Sequence, residues 1–206
     1  MIKTRLLQVD PRDPPLAVLK EAAGVLLKGG LVAFPTETFY GLGANALDAA
    51  AVKRIFEVKG RPESKPLVVL VDSVRMAESL VKEIPPAALA LMARYWPGPL
   101  TLIFRSASCL PEELTAATGT IGIRISGHPV AFELVRAAGV PITAPSANPS
   151  GEEPPVTAAD VDRTLRDRID LILDGGPTTG GLPSTMLDVT VTPPRVIRRG
   201  ALELPE

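Results

Sequence analysis

The chain has 206 residues, 46% hydrophobic and 22% charged, with a formal net charge of −1, which gives enough apolar material for a sizeable core and leads us to expect a single domain over residues 1–206. A balance so close to neutral excludes the global basic field that drives non-specific nucleic-acid binding, and 4% aromatic residues leave few platforms for stacking single-stranded bases. One cysteine (Cys109) and one histidine (His128) exclude an internal disulfide and a zinc-like ligand set, and no apolar stretch has the length of a membrane span or follows Met1–Arg5 as a signal core, so a soluble, cytoplasmic protein is expected.

In chain order, Arg5 to Val9 reads as a first strand, and Leu16 to Lys28 has apolar residues at helical spacing up to Gly29-Gly30. Leu31 to Phe34 is a short buried strand that runs into the polar loop Pro35-Thr36-Glu37-Thr38. The two glycines of Tyr40-Gly41-Leu42-Gly43 allow unusual backbone geometry near a ligand. Asp48 is placed to cap a helix from Ala49 to about Val58, Leu67 to Val71 is the next strand, and Ser73 caps a further helix. Pro86 to Tyr95 is helical until Trp96-Pro97-Gly98-Pro99 breaks it, and Leu100 to Phe104 is a strand. The rhythm then repeats: strand at Ile121 to Ile125, helix at Pro129 to Ala138, strand over Val140 to Ala144. Thr157 and Asp160 resemble a capping box for a helix to about Arg166, and strands follow at Ile169 to Leu173, Met186 to Val191 and Val196-Ile197. Strands alternating with helices indicate an α/β domain, and the consecutive strands near the end indicate a mixed sheet.

Several segments carry polar chemistry at the ends of apolar elements, where ligands bind on open α/β sheets. Lys59-Gly60-Arg61 closes a helix, and Pro62 and Pro66 stiffen the loop that follows, which limits how far the two cations wander. Ala144-Pro145-Ser146-Ala147-Asn148-Pro149-Ser150-Gly151 is hard to explain as packing. Thr120 and Arg124 lie four apart on one strand, hence on one face. Asp174-Gly175-Gly176-Pro177 and Gly180-Gly181-Leu182-Pro183-Ser184-Thr185 form a glycine-rich region without the spacing of a P-loop or a dinucleotide fingerprint. Cations facing a hydroxyl and an amide suit a phosphate or carboxylate, and point to catalysis by charge placement rather than through a covalent intermediate. His128, before Pro129, reads as a helix-start residue, and Cys109 is assigned no function.

Taken together, Pro35 to Leu42, Lys59-Gly60-Arg61-Pro62 with Lys65-Pro66-Leu67, Tyr95 to Thr101, Gly122-Ile123-Arg124, Ala144 to Gly151, Ser184-Thr185 and Arg198 occur in the order seen in the YrdC/Sua5 family of threonylcarbamoyl-adenylate synthases, which the chain resembles from about Leu16 to Gly200. It resembles the short form of that family. The resemblance implies a mixed, strongly twisted sheet flanked by helices, with a deep basic cavity. It implies a nucleotidyltransferase that makes threonylcarbamoyl-AMP and pyrophosphate from L-threonine, bicarbonate or CO2, and ATP, for N6-threonylcarbamoyladenosine modification of tRNA. Mg2+ would arrive with ATP, and a threonylcarbamoyl transferase complex would take the product. Carried over by motif, Lys59 and Arg61 are catalytic and face phosphates and bicarbonate, with Ser146 and Asn148 opposite; Thr36, Arg124 and Ser184 hold threonine; and Thr120, Ala144, Ser146 and Arg198 contact the nucleotide. Some family members carry His at the position of Leu70 and Glu at that of Pro183, and both are apolar here. The rival expectation from another class is a non-catalytic module binding double-stranded RNA or tRNA through shape and phosphates.

Overall fold

A computed structural model describes residues 2–204 and shows the alternation that the apolar periodicity predicts. The elements are β1 (Arg5–Gln8), α1 (Leu16–Leu27), β2 (Val32–Pro35), β3 (Tyr40–Gly43), α2 (Ala49–Lys59), β4 (Val68–Leu70), α3 (Val74–Glu78), α4 (Pro86–Tyr95), β5 (Leu100–Arg105), α5 (Glu112–Thr115), β6 (Thr120–Arg124), α6 (Pro129–Ala138), β7 (Ile142–Thr143), α7 (Ala158–Leu165), β8 (Leu171–Asp174), β9 (Thr185–Asp188) and β10 (Arg195–Arg198). The helix starts have local causes. The Asp48 carboxylate accepts from the backbone N–H of Ala50 and Ala51 at the head of α2, and Thr157 and Asp160 form the reciprocal box at the head of α7. His128 caps α6 by accepting from Val130 N through Nδ1, as its place before Pro129 leads one to expect. Gly60, at φ 56°, closes α2 in the left-handed region and turns the chain between Lys59 and Arg61.

The strands divide into a four-stranded sheet, β1-β8-β2-β3, and a six-stranded sheet, β10-β9-β5-β6-β4-β7. Both are mixed: β8 runs parallel to β1 and β2, β4 to β6 and β5 to β9, whereas β2–β3, β4–β7, β5–β6 and β9–β10 are antiparallel. The one mixed sheet expected from the sequence is thus split, and its halves meet along β3 and β7. There Thr143 N donates to Ala44 O at 3.0 Å and Leu42 N to Pro145 O at 2.7 Å, and isolated bridges join Gly41 to Ser146 and Asn45 to Ile142. A Cβ on Gly43 would stand 2.8 Å from both Ile142 Cγ2 and Phe34 Cε1, so the seam depends on a residue with no side chain.

One apolar cluster gathers Leu19, Leu26, Phe34, Leu134, Leu171 and Leu173, where α1 and α6 cover the four-stranded sheet. The larger cluster, including Tyr40, Ile55, Leu102, Phe104, Ile123 and Leu165, fills the other side with residues of α2 and α7. Two elements, β3 and α5, were not expected from the sequence, and β7 is shorter than the apolar run Val140 to Ala144.

Candidate active site

The seam opens into a cavity of about 510 Å³. Thr36, just after β2, and Tyr40 and Gly41 of β3 form one wall; Ala144, Pro145 and Ser146, just after β7, form the facing one. Arg124, the last residue of β6, Ser184 with Met186 of β9, Arg198 of β10, and Arg61 with Pro66 beyond α2 complete the lining. Strand ends from both sheets therefore converge on one cleft.

Each polar group there is held by its own neighbours. Thr36 Oγ1 donates to Phe39 O at 2.7 Å and accepts from Thr38 N at 3.2 Å, a turn that fixes the hydroxyl. Arg61 donates from Nε to Lys65 O at 3.2 Å and from Nη2 to Pro66 O at 2.9 Å, so its guanidinium is braced by the proline-stiffened loop. Arg198 donates from Nε and Nη2 to Ser184 O, at 3.2 and 2.9 Å, and from Nη2 to Ser184 Oγ at 3.2 Å. Ser184 Oγ in turn shares a 2.8 Å hydrogen bond with Thr101 Oγ1. The chain after β10 presses close to this point: a Cβ on Gly200 would lie 2.1 Å from Pro183 O, and Gly200 N donates to Thr185 Oγ1 at 3.1 Å. That approach keeps β10, and hence Arg198, against the start of β9.

Arg124 is 4% exposed. Its Nη1 lies 3.2 Å from Glu37 Oε1, close enough to pair but not aligned for a hydrogen bond, so Nε and Nη1 of Arg124 and Oε1 of Glu37 have no hydrogen-bond partner among the described residues. Burial pushes the Arg124 pKa down, with Glu37 opposing, and burial followed by the charge of Arg124 pushes that of Arg198 down. Arg61 is shifted the same way by burial. Three guanidinium groups thus converge with few counter-charges, the electrostatics of a site that takes up anions. No histidine or cysteine stands on the lining, and among the described residues no cluster of three His, Cys, Asp or Glu could hold a metal ion.

Of the residues singled out in the sequence, the structure brings Thr36, Arg61, Arg124, Ala144, Ser146, Ser184 and Arg198 together around the cleft. Lys59 and Asn148 stand behind the Ser146 wall. The buried Lys59 ammonium donates to the backbone carbonyls of Ser146 and Asn148, and burial, then the charge of Arg61, lowers its pKa from 10.5 to about 8. Asn148 Nδ2 donates to Pro149 O at 3.0 Å and Glu152 O at 2.8 Å. The two polar islands of the sequence are therefore bonded to one another. Thr120 is not part of the lining; its hydroxyl bonds Thr118 Oγ1 at 2.9 Å. Pro183 lines the cleft, whereas Leu70 is fully buried in the core. Sequence alone does not single out Glu37, whose Oε2 accepts from the Ser126 hydroxyl, or Tyr40, whose hydroxyl donates to Gly176 O at 2.7 Å. Glu37 lay inside a motif already noted, but its pairing with Arg124 spans 87 positions and has no local signal.

The Sua5/YciO/YrdC family, described as telomere recombination, matches residues 24–200. This chain belongs to that family. It is 47% identical over 188 residues to a threonylcarbamoyl-AMP synthase of Pyrococcus abyssi, covering 91% of this chain and 55% of the relative. It is 42% identical over 191 residues to a putative threonylcarbamoyl-AMP synthase of Mycobacterium tuberculosis, covering 93% and 87%. The crystal structure of P. abyssi Sua5 complexed with L-threonine superposes with a TM-score of 0.93 at 44% identity, covering 96% of this chain and 58% of that one. This Sua5/YciO/YrdC chain thus spans little more than half the length of its P. abyssi relatives, and E. coli YciO, with a TM-score of 0.87 at 26% identity, matches it over 98% of both chains.

Proposed function

We propose that this chain is an L-threonylcarbamoyladenylate synthase. The observation that carries the proposal is the convergence of Arg61, Arg124 and Arg198 with the hydroxyls of Thr36, Ser146 and Ser184 around one cleft, in a chain that is 44% identical to a Sua5 solved with L-threonine.

In the chemistry this implies, threonine's amine captures CO2 and loses a proton to give a carbamate. A carbamate oxygen attacks the α-phosphorus of ATP, and the bond to the pyrophosphate oxygen breaks. Bicarbonate as the carbon source releases one water. Negative charge accumulates along the whole path, and fixed cations in a partly dehydrated cleft lower its energy most. Arg61 is the group to stabilise the attacking carbamate and the five-coordinate phosphorus. Arg124, which lines the cleft together with Thr36 and Ser184, takes threonine's carboxylate. Arg198, the Ala144 backbone and Ser146 meet the nucleotide. Lys59 acts through the wall: its ammonium fixes the loop that presents Ser146. Mg2+ enters bound to ATP as part of that substrate. The product is a labile mixed anhydride, which calls for a threonylcarbamoyl transferase and, beyond it, tRNA, in the cytoplasm. No helix of the described residues is long and apolar enough to cross a membrane. A non-catalytic module for double-stranded RNA is not favoured, since these arginines line a concave cleft rather than a face that a duplex can reach.

The test is release of pyrophosphate by the purified chain with Mg-ATP and bicarbonate. Release that depends on L-threonine is expected; release that ignores threonine, or none with a folded protein, contradicts the proposal.

A further inference from the structure

The polar group that the cleft chemistry leaves unused is the carboxylate of Glu37. It stands in the loop after β2, its side chain 19% exposed, next to the buried guanidinium of Arg124, and the hydroxyl of Ser126 donates to its other oxygen. Its backbone carbonyl accepts from Thr179 Oγ1 at 2.6 Å, which anchors the residue to the glycine-rich loop as well. Glu37 is absent from the cavity lining, whereas Arg124 is present on it. The carboxylate therefore meets the arginine from outside the lining of the cleft. Among the described residues no other carboxylate pairs with Arg124, and the nearby charge of Arg198 repels it.

Nε and Nη1 of the Arg124 guanidinium are buried without a hydrogen-bond partner among the described residues, and the carboxylate 3.2 Å from Nη1 is the counter-charge that holds that side of it, while Arg124 itself lines the cleft. We infer that Glu37 is the positioning residue for amino-acid recognition: held by Ser126, it braces the Arg124 guanidinium from the Nη1 side, so that the part of Arg124 that lines the cleft meets the substrate's carboxylate. This deepens the synthase reading, on which it rests. With Gln at position 37 the charge that offsets Arg198 is lost and Arg124 can turn away, so the amino acid is bound less well while the nucleotide contacts, which do not involve Arg124, are untouched.

The experiment measures L-threonine binding by calorimetry and KM for threonine and for ATP, in wild type, Glu37→Gln, Glu37→Asp and Ser126→Ala. Glu37→Gln should raise Kd and KM for threonine by about tenfold or more with KM for ATP within about twofold of wild type. Ser126→Ala should show a weaker form of the same selective effect, and Glu37→Asp should recover part of the loss. If Glu37→Gln does not fold, the selective threonine defect of Ser126→Ala decides. A threonine affinity equal to wild type, or threonine and ATP constants that worsen in parallel, would overturn the role of Glu37 alone. Wild-type protein that binds no threonine would overturn the synthase reading and this inference with it.

Discussion

Lys59→Met preserves the length and apolar stem of the side chain and removes only the ammonium. In the wild type that ammonium makes two donations, to Ser146 O and Asn148 O, each worth about 1.5–3 kcal/mol as a charged hydrogen bond. Against this, the folded protein holds a buried cation whose pKa falls from 10.5 to about 8, a penalty of about 3 kcal/mol at neutral pH. The two effects largely cancel, so at pH 7 the variant should be less stable by about 3 kcal/mol at most. The pH dependence is more telling. Below pH 8 both folded and unfolded chains carry the proton and the burial penalty is present in full. Between pH 8 and 10.5 the unfolded chain binds more protons than the folded one, so stability contributed by this position rises with pH. Urea unfolding at pH 7, 8.5 and 10 should therefore show the wild type gaining on Lys59→Met by about 2–3 kcal/mol across the series. Threonine-dependent turnover, by contrast, should fall about 100-fold, because the loop that carries Ser146 loses its anchor and the groups it presents are displaced. A stability gap that does not change with pH, or a variant that turns over like wild type, would refute this account of Lys59.

Arg61→Ala should cost about 100- to 1000-fold in pyrophosphate release and change the thermal midpoint little, since among the described residues the Arg61 side chain donates only to the carbonyls of its own loop; near-wild-type turnover would remove it from the site. Gly43→Ala forces a Cβ to within 2.8 Å of Phe34 and Ile142, so calorimetry should show a loss of about 1–3 kcal/mol; an unchanged midpoint would mean that the seam between the sheets is not closely packed.

Much of the scaffold could be read locally. Asp48, the Thr157–Asp160 pair and Gly60 mark helix ends through bonds that span only a few residues, and the structure places each of those ends where these residues stand. The strand β3 was hidden because Tyr40-Gly41-Leu42-Gly43 has the composition of a loop, and its glycines serve a contact with Phe34 and with Ile142, nearly a hundred positions away. The four-residue helix α5 has no room for an apolar period. The same-face argument placed Thr120 and Arg124 together on β6, and of the two Arg124 lines the cleft. Four residues of strand span about 13 Å, so Arg124 reaches the cleft from one end while Thr120 bonds Thr118 at the other. Charge and spacing marked Lys59 as important, yet whether an ammonium points at a ligand or at its own backbone is decided by the loop packed against it. The Glu37–Arg124 pair is likewise a product of the assembled fold.

The central claim is tested most directly by incubating the chain with ATP, Mg2+, L-threonine and 13C-bicarbonate and taking the mass spectrum of the nucleotide product. Threonylcarbamoyl-AMP carrying a single 13C in its carbamoyl group is the predicted result; unmodified ATP, or AMP with no labelled adduct at any time point, would contradict it.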